Sequence, residues 1–147
     1  MSHHEIIPQL DLLVQEFMLQ TSVMNLATTV HDEPYCATCY YAYEPTHHWL
    51  VFKSEFDTQH IENALKNPKV AGTIVPDKLD KLMVKGVQFN GTFKQTDSRT
   101  EHIAEDVYIS KFPIATLFRG KLWYIELTKL KYTDNTPIIG KKIIWER

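Results

Sequence analysis

Apolar positions recur at steps of three and four from near the start of the chain: Ile6, Ile7, Leu10, Leu13, Val14, Phe17 and Met18, with Gln9, Asp11, Gln15 and Glu16 between them. That spacing predicts an amphipathic helix with one face on a core. The pattern then changes. Val23–Val30 is rich in β-branched residues and reads as a strand, His31-Asp32-Glu33-Pro34 as a turn, and Tyr35–Tyr43 as the returning strand of a hairpin. Glu44–His47 turns the chain again and Trp49–Ser54 is a third strand. Helical periodicity returns over Thr58–Asn67 through Ile61, Ala64 and Leu65, with Asp57 as its N-cap and Asn67-Pro68 as its stop. Val70–Val75 and Val84–Phe93 follow as strands, the second bent at its glycines, Gly86 and Gly91. Ser98-x-x-Glu101 reads as a capping box for a third helix carrying Ile103, Val107 and Tyr108 and closed by Pro113. Leu122–Leu127 is a sixth strand, and the tail through Trp145 keeps enough apolar residues to be ordered. Tight turns between most strands, with short helices interspersed, predict a mainly β, antiparallel barrel with helices packed outside it.

Composition narrows the function classes. The 147 residues contain no repeat, linker or low-complexity run, so residues 1–147 are expected to form a single domain. A net charge of -2 argues against general nucleic-acid binding. No apolar run approaches the roughly 20 residues of a membrane span, and Met1–Glu5 shows no leader pattern, so a cytoplasmic protein off the membrane is expected. Cys36 and Cys39 have a C-x-x-C spacing, but on a strand positions i and i+3 face opposite ways, so the pair is expected neither to share a metal nor to close a disulfide. His47-His48 and His31 read as solvated turn residues, and no metal site is predicted. There is no P-loop, dinucleotide fingerprint or nucleophile elbow, so nothing supports hydrolase chemistry.

One arrangement of segments has a family likeness. Leu26-Ala27-Thr28-Thr29-Val30, a turn, Pro34-Tyr35, a strand, Leu50-Val51-Phe52-Lys53-Ser54, a helix, then Asn67-Pro68-Lys69-Val70-Ala71-Gly72 resembles the FMN-binding split barrels of the pyridoxamine 5′-phosphate oxidase-like superfamily. Lys85-Gly86-Val87-Gln88-Phe89-Asn90-Gly91, Lys111-Phe112-Pro113, Lys131–Thr136 and Gly140–Trp145 look like its bacterial YhbP-like subfamily, from which no reaction follows. The resemblance implies a six-stranded antiparallel split β-barrel with flanking helices, forming a homodimer with two FMN sites at the interface. It places the flavin phosphate at Phe52, Lys53 and Ser54 and at Thr58, Gln59 and His60, where a cation, hydroxyls and a helix N-terminus suit an anion. The flavin ring is implied along the second strand near Cys39 and Tyr40. Lys85 is a candidate for the phosphate and Gln88 for the ring. Trp123 is either a core residue or a lid over the partner's site.

The chain also departs from the family pattern. Pyridoxamine oxidases carry Ser-Arg-Lys where this chain has Thr58-Gln59-His60, and their basic residues on the second strand correspond to Ala37 and Ala42. Fixed guanidinium groups make the strong phosphate contacts. Their loss implies weak or absent FMN retention and argues against pyridoxamine phosphate oxidation. The expected function is hydride or electron transfer with a small substrate and reduced nicotinamide as partners. The alternatives are a non-catalytic flavin or ligand carrier, and a haem-binding split barrel that uses His31, His47, His48 or His60 as an iron ligand.

Overall fold

The computed structural model describes residues 6–136 and 140–147; Met1–Glu5, on which the leader reading rests, lie outside the described residues. The first helix, α1, spans Leu12–Gln20. It starts later than the apolar spacing predicts because Asp11 caps it, its carboxylate accepting the Leu13 N–H at 2.8 Å. The lead-in instead packs extended, with Leu10 buried and the Pro8 carbonyl accepting the Trp145 indole N–H at 3.0 Å.

β1 (Val23–Val30) and β2 (Glu33–Tyr40) form the predicted hairpin, but its turn is only His31 and Asp32, at φ 52° and 61°. Positive φ at both central positions matches the right-handed twist of the strands they join. Pro34 therefore lies within β2, which is an edge strand, where a missing N–H is tolerated.

The stretch read as one strand from Tyr35 to Tyr43 is two. Tyr41 makes the last bond in the hairpin register, its backbone N–H to the Ser22 carbonyl at 3.0 Å, and its buried phenol donates to the Met18 carbonyl at 2.9 Å. β2 thus stays with β1, while β3 (Ala42–Glu44) crosses to β4 (Trp49–Ser54). α2 spans Gln59–Lys66 with Thr58, not Asp57, at its N-cap. β5 (Lys69–Ile74) and β6 (Lys85–Gln95) follow, β6 bulging between Asn90 and Gly91. α3 (Glu101–Lys111) begins after Thr100 rather than Ser98. The reason is Asp97, whose carboxylate gathers the N–H groups of Arg99 and Thr100 at 2.8 and 3.0 Å.

A short 3-10 turn, Pro113–Leu117, leads to β7 (Lys121–Asp134), more than twice the length expected. The first part of β7 pairs β4, its last part pairs β8 (Lys141–Glu146), and β6 lies along nearly all of it. The sheet order is β2-β1-β5-β6-β7-β4-β3, with β8 added on β7, so eight strands stand where six were expected. The sheet curls until β2 lies alongside β4 without pairing to it. That gap is the split of a mainly antiparallel half-barrel.

The main core fills the barrel with Leu26, Phe52, Phe89, Trp123, Ile125 and Tyr132, closed below by Val14 and Met18 of α1. A second cluster seats Ala104 and Tyr108 of α3 on Val51 and Tyr124, on the outer face of β4 and β7.

Candidate functional site

Alternation along β4 sorts the predicted phosphate residues onto two faces. Phe52 points into the barrel and is fully buried. Lys53 points the other way, toward α3, and its Nζ donates to the Ala115 carbonyl at 2.7 Å. Ser54 returns to the barrel side at the mouth of the split. The chain then folds over itself, the Thr58 hydroxyl donating to the Glu55 carbonyl at 2.9 Å, and the first helical bond of α2 runs from the Glu62 N–H to the Thr58 carbonyl at 3.0 Å. The N–H groups ahead of that bond have no intrahelical acceptor.

This turn brings the His60 imidazole back onto Ser54. Nε2 lies 2.8 Å from the Ser54 hydroxyl and 3.5 Å from that of Thr58. Across the split, the Cys39 thiol of β2 is 4.0 Å from the same nitrogen. Burial pushes the His60 pKa below its ordinary value, so the ring is neutral at pH 7. Burial also pushes the Cys39 thiol up to about 11, against a smaller opposing pull from Ser54. The cluster is a set of neutral donors and acceptors bridging β2, β4 and α2.

Beneath it, Trp123 is 1% exposed and donates its indole N–H to the Ser54 carbonyl of its own chain at 3.0 Å. Its side chain is core, so the alternative of a lid over the partner's site does not hold. Phe56 and Phe93 lean on it at ring separations of 6.1 and 5.3 Å. The remaining predicted residues do not join the cluster in one chain. Gln59 turns aside to the Asn63 side chain at 2.7 Å. Tyr40 is 63% exposed and meets Phe112 edge-on at 5.6 Å. Lys85 sits 4.0 Å from the Asp134 carboxylate, and Gln88 faces outward on β6 beside Thr73 and Lys131. Gln95, at the far end of β6, is level with Trp123. Lys85 is therefore about 30 Å along the strand from that level, at ~3.3 Å per residue.

Two neighbours of the cluster escaped the sequence reading. Lys121 pairs directly with Ser54 across β4 and β7, placing both side chains on one face, and its Nζ lies 5.7 Å from the Trp123 ring centroid. Gly120, at φ 124°, lets the chain approach Ser54 so closely that a β-carbon would stand 3.0 Å from the Ser54 carbonyl carbon. Gly-Lys at the start of a strand was the only local signal, and the register that gives it meaning is set elsewhere.

One histidine differs from expectation. His48 is buried rather than solvated, stacked on Tyr43 and bonded to its hydroxyl through Nδ1. His47 holds the Glu44 carboxylate at 2.9 Å. His31 is exposed on the hairpin turn. Cys36 is exposed and Cys39 buried, the opposite orientations that strand alternation requires. No group of three metal-ligating side chains occurs among the described residues. A cleft of about 660 Å³ lies elsewhere, between β3 and α3, and contains none of the predicted site residues.

No family model matches the chain. A UPF0306 protein of Photorhabdus laumondii is 31% identical over 135 residues, covering 92% of this chain and 94% of that protein. This chain belongs to the UPF0306 family. Among solved structures, a heme binding protein from Mycobacterium smegmatis superposes with a TM-score of 0.75 at 15% identity over 95% of this chain, which spans 60% of that protein's length. A FAD-binding protein from Mesorhizobium loti gives 0.66 at 19% identity, covering 88% of this chain and 98% of that one. A putative pyridoxamine 5′-phosphate oxidase from Listeria innocua gives 0.62 at 16%, covering 82% and 94%. These likenesses show the fold: this UPF0306 protein is a split barrel of the pyridoxamine 5′-phosphate oxidase-like type. No helix among the described residues is long and apolar enough to cross a membrane.

Proposed function

We propose that this UPF0306 protein binds FMN as a homodimer and passes hydride or electrons between reduced nicotinamide and a small substrate. The observation that carries the reading is the meeting of Ser54, His60 and the first turn of α2 at the split between β2 and β4. A phosphate monoester asks for hydroxyls, N–H donors and positive charge. The Ser54 hydroxyl, the His60 imidazole and the backbone N–H groups after Thr58, including that of Gln59, supply the donors. Lys53 is turned to α3 and adds no charge there. The residues therefore fit a phosphate held largely by neutral groups, which accords with loose retention.

A bound flavin supplies the electron chemistry, and the protein supplies binding and orientation. Phe52 and Trp123 form the apolar floor under Ser54. Cys39 and Tyr40 belong to the edge strand β2, which has a hydrogen-bonded neighbour on one side only, leaving main-chain groups for the polar rim of a ring. Lys85 and Gln88 are too far along β6 to reach Ser54 of their own chain, so they join the site from a second copy. The reading thus requires the dimer. Phe56 stands 58% exposed beside Trp123, where a second copy would cover it.

A haem reading has one observation of its own, the heme binding neighbour. His60 is the histidine that faces the split, and Ser54 already engages its Nε2. The absorption spectrum of the purified protein, before and after incubation with FMN and with hemin and removal of excess, separates the readings. A retained flavin band that bleaches anaerobically with reduced nicotinamide is the expected result. A flavin band indifferent to nicotinamide makes the protein a carrier, and a haem band alone replaces the flavin reading. No retained chromophore from either addition removes both.

A further inference from the structure

We propose that Lys121 is the cation of the anion site at the split, the part that the family resemblance assigns to Lys53. The inference rests on the phosphate half of the reading above. Three features converge on it. The pairing of Ser54 with Lys121 starts both side chains on the same sheet face, whereas Lys53 pairs Leu122 and starts on the opposite one. The Lys121 side chain leans over Trp123, whose indole N–H is bonded to the Ser54 carbonyl, so the amine stands above the ring that underlies Ser54. Lys121 is exposed and makes no ion pair among the described residues, leaving its charge for a ligand, while Lys53 is already committed to Ala115.

Gly120 completes the arrangement. Its positive φ and the 3.0 Å clearance from the Ser54 carbonyl carbon start β7 close against the Ser54–Glu55 backbone. Any side chain there would push the Lys121 backbone off the site. A phosphate at Ser54 and His60 then meets one flexible ammonium from β7. Such a site takes a phosphate monoester with modest affinity and discriminates weakly between esters, because a single flexible ammonium imposes little geometry.

The test uses the full chain and inorganic phosphate as probe, followed by NMR of the imidazole signals, with His60 assigned by their loss in His60→Gln. Phosphate is expected to shift the His60 signals. Lys121→Met should weaken the apparent affinity about tenfold or more, the size expected for losing one charged hydrogen bond. Lys121→Arg should largely restore it, and Lys53→Met should leave it unchanged. An affinity unchanged in Lys121→Met, or no phosphate effect on His60, overturns the assignment. Titrating FMN and riboflavin into the same proteins separates this inference from the flavin reading. If phosphate binds through Lys121 and neither flavin binds, the anion site stands and the flavin reading falls. If FMN binds wild type and Lys121→Met equally, the flavin reading stands and the assignment falls.

Discussion

Cys36 and Cys39 lie three residues apart on β2 and meet different surroundings, one open to solvent and the other enclosed beside Ser54 and His60. Thiol chemistry runs through the thiolate, and burial holds Cys39 protonated up to about pH 11. Iodoacetamide at pH 8 is therefore expected to alkylate Cys36 at least about tenfold faster than Cys39 in the folded protein. The two rates should converge in urea. Peptide mass spectrometry at timed intervals measures both, and equal rates in the folded protein would contradict the burial of Cys39. The opposite orientation of the two thiols was legible from strand alternation. The contact between Ser54 and His60 was not, since it depends on how tightly the turn from Glu55 to Thr58 folds back.

The strands owe their bends to a few small residues. Gly72 on β5 sits where the Phe89 ring and the Asn25 carbonyl close over it, and a β-carbon there would lie 2.3 and 2.4 Å from them. The carbonyl belongs to the backbone of the neighbouring strand and cannot step aside. Gly72→Ala is therefore expected to destabilise the fold by about 2–3 kcal/mol, the upper part of the usual overpacking range. A urea melt should show a lower midpoint at unchanged slope. A midpoint within error of wild type would mean that the sheet relaxes freely at this crossing. Element by element, periodicity located the helices and most strands. It missed the division of Tyr35–Tyr43 because each half is good strand sequence; the break comes after Tyr41, whose phenol is anchored on the Met18 carbonyl, where Ala42 turns to pair Val51 of β4. It misplaced two helix starts because the Thr58 turn and the Asp97 loop, not the nearest acidic or serine residue, set where helical backbone begins.

For the whole molecule, the decisive geometry is the distance between the two ends of β6. Ser54 and His60 sit near one end and Lys85 and Gln88 near the other, and exposed apolar residues flank both groups: Phe56 and Phe118 by the first, Leu82 and Val84 by the second. A two-fold pairing of chains that joins unlike ends would cover both patches and assemble two sites at once. Sedimentation equilibrium is accordingly expected to return twice the 17.2 kDa chain mass. A monomer at micromolar concentration would leave Lys85 and Gln88 outside any site with Ser54.

The residues alone sufficed to establish a mainly β single chain, its approximate strand and helix segments and its family resemblance, because hydrophobic period and turn chemistry are local properties. Neighbourhood across strands is not local. Lys53 and Lys121 are both lysines on strands near the same turn, and their roles separate only when β4 and β7 pair in the observed register. That register follows from the core, where Phe52 and Trp123 must face inward together, and it carries Ser54 and Lys121 to the mouth of the split as a consequence.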